Sequence, residues 1–323
     1  MNLRLLDFLL DPNDFQPLQA RSFQGDGNTI REGVLINAQT RRWYPIRDGI
    51  PSIFCDDFRV GALKEEDSAF AAQYAHELSD VLHPEENQDR ARNHVERVHD
   101  LGRIANERCA RDEQAEAYDR MISMKTLRLF ELPAYKRAMI EYSKTPTDLP
   151  ILEAGCGTGR YTDLFARYGS EVVALDLSRD SILRNRVLHS GKTRSPVHYL
   201  HADLTHLPLR DNVFGRVANV GVYEHIPSLE MRRKFVEHTH RVLVADGTFV
   251  LSAYRYAGVT KLMKKQGEHL GGIPYYRFTP QELAEEIAPW FGVSKTQANI
   301  GIYMTMVVAT PKIPEITEKR SMV

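Results

Sequence analysis

Residues 151–162 read ILEAGCGTGRYT: a short apolar run meets an acid, Glu153, and three glycines follow at alternate positions, Gly155, Gly157 and Gly159. Glycine loses more backbone freedom on folding than any other residue. Three in so short a stretch imply that something must lie against bare backbone. A strand ending at Glu153, a glycine turn and a helix starting near Arg160 make a nucleotide-binding βα turn, in which the helix start offers unpaired N–H groups. A second apolar run, VVALD at 172–176, closes on Asp176, which is placed to accept hydrogen bonds from ribose hydroxyls.

The loop also discriminates between ligands. A dinucleotide fingerprint, G-x-G-x-x-G, needs its third glycine where this chain has Arg160. Here the pattern is Glu-x-Gly-x-Gly-x-Gly. A carboxylate at Glu153 repels a pyrophosphate and attracts an ammonium group, which favours a nucleoside with an amino-acid tail.

Outward from this loop the texture changes twice. From residue 150 onward short apolar strands alternate with amphipathic helices, the pattern of βαβ units and a parallel sheet. Residues 59–148 are poor in Gly and Pro and place apolar residues three and four apart, so they read as a helical linker and substrate cap. Residues 1–58 carry β-branched and aromatic runs punctuated by DPND and GDGN, which suggests a small β-rich module. The segment 313–323 reads as a flexible tail.

The chain has 323 residues, 42% of them hydrophobic, and a formal net charge of -1, so it lacks the basic excess of a dedicated nucleic-acid binder. Three scattered cysteines, Cys55, Cys109 and Cys156, argue against a disulfide framework and for a reduced, cytoplasmic setting. No run approaches the roughly 18–20 apolar residues that cross a bilayer, and the N-terminus lacks the features of a signal peptide.

Five segments, ILEAGCGTGRYT, VVALDLS, HADLTHLPLRDNVFGRV, NVGVYEHIPS and RVLVADGTFVLSAY, fall in the order and spacing of class I S-adenosylmethionine-dependent methyltransferases of the type 11 kind. The chain resembles that family over about residues 120–310. The resemblance implies an α/β Rossmann-like sheet with flanking helices, the methyltransferase domain occupying 149–312. It places Gly155, Cys156, Gly157, Thr158 and Gly159 around the methionine part of S-adenosyl-L-methionine, with Glu153 on its amino group. Asp176 and Leu177 would hold the ribose, Asp203 and Leu204 the adenine, and Asn219 would face the sulfonium. Phe214-Gly215 departs from the family's usual Phe-Asp, at a position that does not touch the cofactor.

Methyl transfer from a sulfonium needs alignment and exclusion of water, and a base only where the acceptor must lose a proton. The loop carrying Tyr223, Glu224 and His225 would border the methyl, with His225 the first choice as base because it titrates near neutrality. Some relatives bind metal at this turn through Glu-x-x-Glu-His; Gly221 replaces the first glutamate here, so no metal is expected. Tyr254, Tyr275, Tyr276 and Arg277 are candidate contacts for the acceptor.

The first module resembles the small zinc-ribbon-like domain of the Trm112 type, best over YPIRDGIPSIF, but without its cysteines. Asp11, Pro12 and Asp14 occupy the first zinc turn, and the second runs from Asn37 to Thr40. Zinc prefers thiolate and imidazole, so the expectation is a retained fold without metal.

The reading that follows is methylation of a small-molecule acceptor at oxygen, nitrogen or carbon in a biosynthetic pathway. Nucleic acid and a membrane span are not expected, and the protein would be a monomer or homodimer. Two alternatives stand beside it. One is an RNA or protein methyltransferase that uses the first module for recognition; the other is a non-catalytic scaffold that kept the cofactor fold.

Overall fold

The computed structural model describes residues 1–81, 98–121, 127–141, 145, 148–269 and 271–312. The expected flexible tail and parts of the helical linker lie outside the described residues. The β-branched N-terminal segment forms β1 (Leu18–Gly25), β2 (Ile30–Asn37), β3 (Trp43–Arg47) and β4 (Ile50–Ile53). The Gly-poor segment then supplies α1 (Lys64–Gln73), α2 (Val98–Met121) and α3 (Leu132–Ile140).

Next come β5 (Ile151–Ala154), the short α4 (Thr162–Phe165), β6 (Val172–Asp176), α5 (Arg179–His189) and β7 (Val197–Ala202). They are followed by β8 (Phe214–Val220), α6 (Leu229–Val242) and β9 (Leu243–Tyr254). The last described elements are a two-stranded hairpin of β10 (Gln266–Glu268) and β11 (Pro274–Tyr276), then α7 (Pro280–Ile287), β12 (Phe291–Ile300) and β13 (Met304–Pro311).

Eleven strands make one sheet in the order β1-β2-β3-β4-β7-β6-β5-β8-β9-β13-β12. From β4 to β9 neighbours run parallel, and both flanks are antiparallel. The apolar runs at β5 and β6 are buried on both faces, as parallel strands covered by helices must be. Successive strands step one way from β5 to β7 and the other way from β5 to β9. That reversal opens a crevice at the strands' carboxyl ends.

The N-terminal strands continue this sheet. β4 pairs in parallel with β7 through Ser52↔His201 and Ile53↔Ala202. His201 is buried across the seam, with Nε2 3.0 Å from the Leu177 carbonyl and Nδ1 2.8 Å from the Ser52 hydroxyl. The carbonyl can only accept, so Nε2 carries the hydrogen and Nδ1 accepts. Burial lowers the His201 pKa to about 3, so this histidine is a neutral core residue.

The cysteine-free turns face each other in a dense hydrogen-bonded knot. Asp11 and Asn37 are fully buried. The Asn37 amide donates to Asp11 at 2.8 Å and to Asp14 at 3.1 Å, and the Tyr44 hydroxyl donates to Asp11 at 2.9 Å. Arg42 reaches Asp14 at 2.7 Å, Asp56 at 2.9 Å and Asp11 at 3.4 Å. Burial alone would raise the Asp11 pKa, but donors from Asn13, Asn37 and Tyr44 hold it below its ordinary value. A guanidinium thus sits among three carboxylates where the two turns meet.

One local expectation changes. The helix after the glycine loop begins at Thr162, not near Arg160, and it is a single α-turn. Arg160 and Tyr161 stay in the loop and turn toward the crevice. Beyond Phe165 the bonds tighten to three-residue turns, such as Tyr168 N to the Phe165 carbonyl at 2.9 Å. The chain then passes Gly169, where a Cβ would come within 2.7 Å of Ile151.

Candidate functional site

The three glycines answer three different demands. Gly155 has φ +87°, and a Cβ there would lie 2.4 Å from Val222 on the fourth parallel turn. Gly159 has φ +96°, and its Cβ would lie 2.6 Å from Asn185 on α5. Gly157 has φ +50°, and a Cβ there would meet nothing within 4 Å. Two glycines therefore let the loop pack, and the middle one bares its backbone to open space.

That space is a cavity of about 900 Å³ at the carboxyl ends of the parallel strands. Gly155, Cys156, Gly157, Thr158, Asp176, Leu177, Asp203 and Leu204 all line it. Asp176, at the tip of β6, accepts the Gly157 N–H at 2.7 Å and the Ser178 N–H at 2.8 Å. Burial raises its pKa against those two donors. Asp203 follows β7 and accepts from the Thr205 N–H at 2.9 Å and its hydroxyl at 2.6 Å. Burial would raise its pKa, but His206 and Thr205 outweigh that and keep it low.

Two motif residues stand behind the cavity wall. Glu153 is buried and accepts from the Thr162 hydroxyl at 2.7 Å. Burial pushes its pKa up to about 8, opposed by Thr162. Asn219, also buried, donates to the Ala154 carbonyl at 2.7 Å, and its Oδ1 has no partner among the described residues. Gly159 likewise lies outside the lining.

The other half of the cavity is aromatic and charged. His225 lines it, with Nδ1 2.8 Å from the Pro274 carbonyl. The carbonyl fixes the hydrogen on Nδ1 and leaves a lone pair on Nε2. Burial, aided by the charge on Arg111, holds the His225 pKa well below its usual range, so the ring is a neutral base at neutral pH. Glu224 is 1% exposed, and among the described residues neither of its carboxylate oxygens has a hydrogen-bond partner. Burial pushes its pKa up to about 8.

Tyr254 and Arg277 line the cavity as well. Tyr275 backs the wall, its ring 5.1 Å from the Arg277 guanidinium. Tyr276 turns away and packs on Phe278 at 4.7 Å. Tyr223 also points elsewhere, its buried hydroxyl donating to Glu286 at 2.7 Å.

The helical segment before β5 contributes residues that no motif announced. Glu107 and Arg111 on α2 pair at 3.3 Å, and both line the cavity. Burial raises the Glu107 pKa to about 7 against Arg111. Glu131 and Arg160 lie 3.9 Å apart near the glycine loop, and the Tyr161 hydroxyl donates to Glu131. His269, from the segment after β10, completes the wall. The i,i+4 spacing of Glu107 and Arg111 was the one signal available, and it is equally that of a solvated helix face.

Among the described residues, no group of three or more His, Cys, Asp or Glu is arranged to hold a metal ion. No helix among them is long and apolar enough to cross a membrane.

Comparison with known proteins places this geometry. Residues 152–251 match the family model described as a methyltransferase domain. The chain is 42% identical over 67 residues to the malonyl-[acyl-carrier protein] O-methyltransferase of Buchnera aphidicola, covering 21% of this chain and 25% of that one. It is 31% identical over 122 residues to a probable S-adenosylmethionine-dependent methyltransferase of Mycobacterium tuberculosis, covering 36% of this chain and 41% of the relative. The chain thus spans between a quarter and about two-fifths of the length of these two relatives. A Burkholderia thailandensis 1,6-didemethyltoxoflavin-N1-methyltransferase, solved with 1,6-didemethyltoxoflavin and S-adenosylhomocysteine, superimposes with a TM-score of 0.54 at 19% identity. That match covers 67% of this chain and 90% of the other. The fold is the α/β Rossmann-like methyltransferase fold.

Proposed function

We propose that this protein is an S-adenosylmethionine-dependent methyltransferase acting on a small-molecule acceptor in a biosynthetic pathway. The observation that carries the reading is the pair Asp176 and Asp203, at neighbouring strand tips, on the wall of one cavity that begins at the open backbone of Gly157. The residues fit the ligand. Asp176 suits the ribose hydroxyls, and Asp203 with Leu204 suits the adenine edge. The opposite charges of Arg160 and Glu131 suit a zwitterionic amino-acid tail. Glu153 orders the loop from behind through Thr162.

When bound, the cofactor supplies a methyl group already activated on sulfur. The chain's own tasks are then orientation, exclusion of water and custody of a proton. His225 takes the proton from an acceptor hydroxyl, amine or acidic carbon at Nε2, since its Nδ1 is committed to Pro274. Calorimetric titration tests the reading. S-adenosylhomocysteine binds with one-to-one stoichiometry and NADH does not; the reverse selectivity would refute it. His225→Ala lowers methyl transfer by about 10²–10⁴ with an acceptor that must be deprotonated.

A further inference from the structure

We propose that the acceptor carries an oxyanion, a carboxylate or a phosphate, and that Arg277 is the residue that binds it. The inference deepens the methyltransferase reading and rests on it for the word acceptor. Arg277 lies on the cavity wall and is only 6% exposed. Its Nε donates to the Lys264 carbonyl at 3.2 Å, while among the described residues its two terminal nitrogens have neither a hydrogen-bond acceptor nor a carboxylate. Its guanidinium is gripped instead by aromatic faces, 5.1 Å from the rings of both Tyr254 and Tyr275.

The protein treats its other buried arginines differently. Arg232 is held by both oxygens of Glu286, at 2.8 and 3.0 Å. Arg216 spends its terminal nitrogens on the carbonyls of Tyr168 and Thr145. Arg108 reaches Glu66 at 2.9 Å and Asp112 at 3.8 Å. A buried guanidinium whose terminal donors are unspent is costly, and on a cavity wall a ligand can bring the acceptors they lack.

The surrounding groups do not supply them. Glu107 is engaged by Arg111. Glu224 favours its neutral form because it is buried, and burial disfavours the charged forms of His225 and His269. A planar guanidinium pinned by two rings presents a fixed fork of donors, which matches the paired oxygens of a carboxylate or phosphate. The rings of Tyr254 and His225, 5.5 Å apart and edge to face, border the same space, so the test uses aromatic probes.

The full chain is titrated with benzoate, phenyl phosphate and the uncharged isostere benzamide, each with and without saturating S-adenosylhomocysteine. Benzoate or phenyl phosphate binds the wild type at least tenfold tighter than benzamide, and whichever gains more identifies the oxyanion. Arg277→Met abolishes that preference, and Arg277→Lys keeps part of it. The proposal is overturned if the three probes bind the wild type alike, if none binds, or if the preference survives Arg277→Met. The wild-type comparison stands even if a variant misfolds. Failure of S-adenosylhomocysteine itself to bind would count against the methyltransferase reading, while the charge preference still tests Arg277 by itself.

Discussion

Two clusters of buried polar groups sit at opposite regions of the same sheet. In the N-terminal knot, Asp11 accepts from Asn13, Asn37 and Tyr44, while Arg42 meets three carboxylates. Around the cavity, the terminal nitrogens of Arg277 on its wall and, behind that wall, both oxygens of Glu224 and Oδ1 of Asn219 lack such partners among the described residues. The burial is similar and the hydrogen bonding is opposite. A fully satisfied cluster holds strands together, whereas an unsatisfied one stores a cost that a ligand can relieve.

Removing the centre of the knot is the strongest way to break this contrast. Asp11→Ala strands Arg42, Asn37 and Tyr44 and destabilises the fold by about 4 kcal/mol in urea unfolding. A loss below about 1 kcal/mol would show that the knot holds nothing together.

Behind the cavity wall the corresponding change has the opposite sign. Folding carries the Glu224 pKa from its ordinary value of 4.5 to about 8. The native state therefore favours the protonated carboxyl. That contribution is whole below the unfolded value and fades as pH rises toward 8. Glu224→Gln matches the wild type near pH 5 and becomes more stable than it by about 3 kcal/mol at pH 9. A variant less stable than the wild type at pH 9 would mean that Glu224 is paired after all.

Smaller effects sharpen the distinction. Asp176→Ala weakens S-adenosylhomocysteine binding at least ~10-fold, worth about 1.4 kcal/mol, without unfolding the protein; calorimetry reads both. Tyr44→Phe deletes one donor to Asp11 and lowers stability by about 1 kcal/mol, leaving cofactor affinity unchanged.

How much of this was legible depends on the range of the interactions. The glycine loop, Asp176, Asp203 and His225 could be read from the chain because strand tips and turns are local. The direction of a side chain at a strand tip is less local. Glu153, Asn219 and Tyr223 belong to the right motifs yet point behind the cavity wall, toward Thr162, Ala154 and Glu286. Glu107, Arg111 and Glu131 reach the site only through tertiary packing. The pairing of β4 with β7 was equally hidden, since Ser52 meets a histidine 149 positions away. The knot was half visible: DPND and the residues from Asn37 to Thr40 read as turns, but the arginine that joins them could not be read.

The central claim is that one cavity, floored by Gly157 and flanked by Asp176 and Asp203, holds an adenosyl sulfonium donor. A crystal structure with S-adenosylhomocysteine tests it most directly. The expected complex has ribose hydroxyls against Asp176, the adenine beside Asp203, and the sulfur directed toward His225. A ligand bound elsewhere, or an orientation that places the adenine against His225, would contradict it.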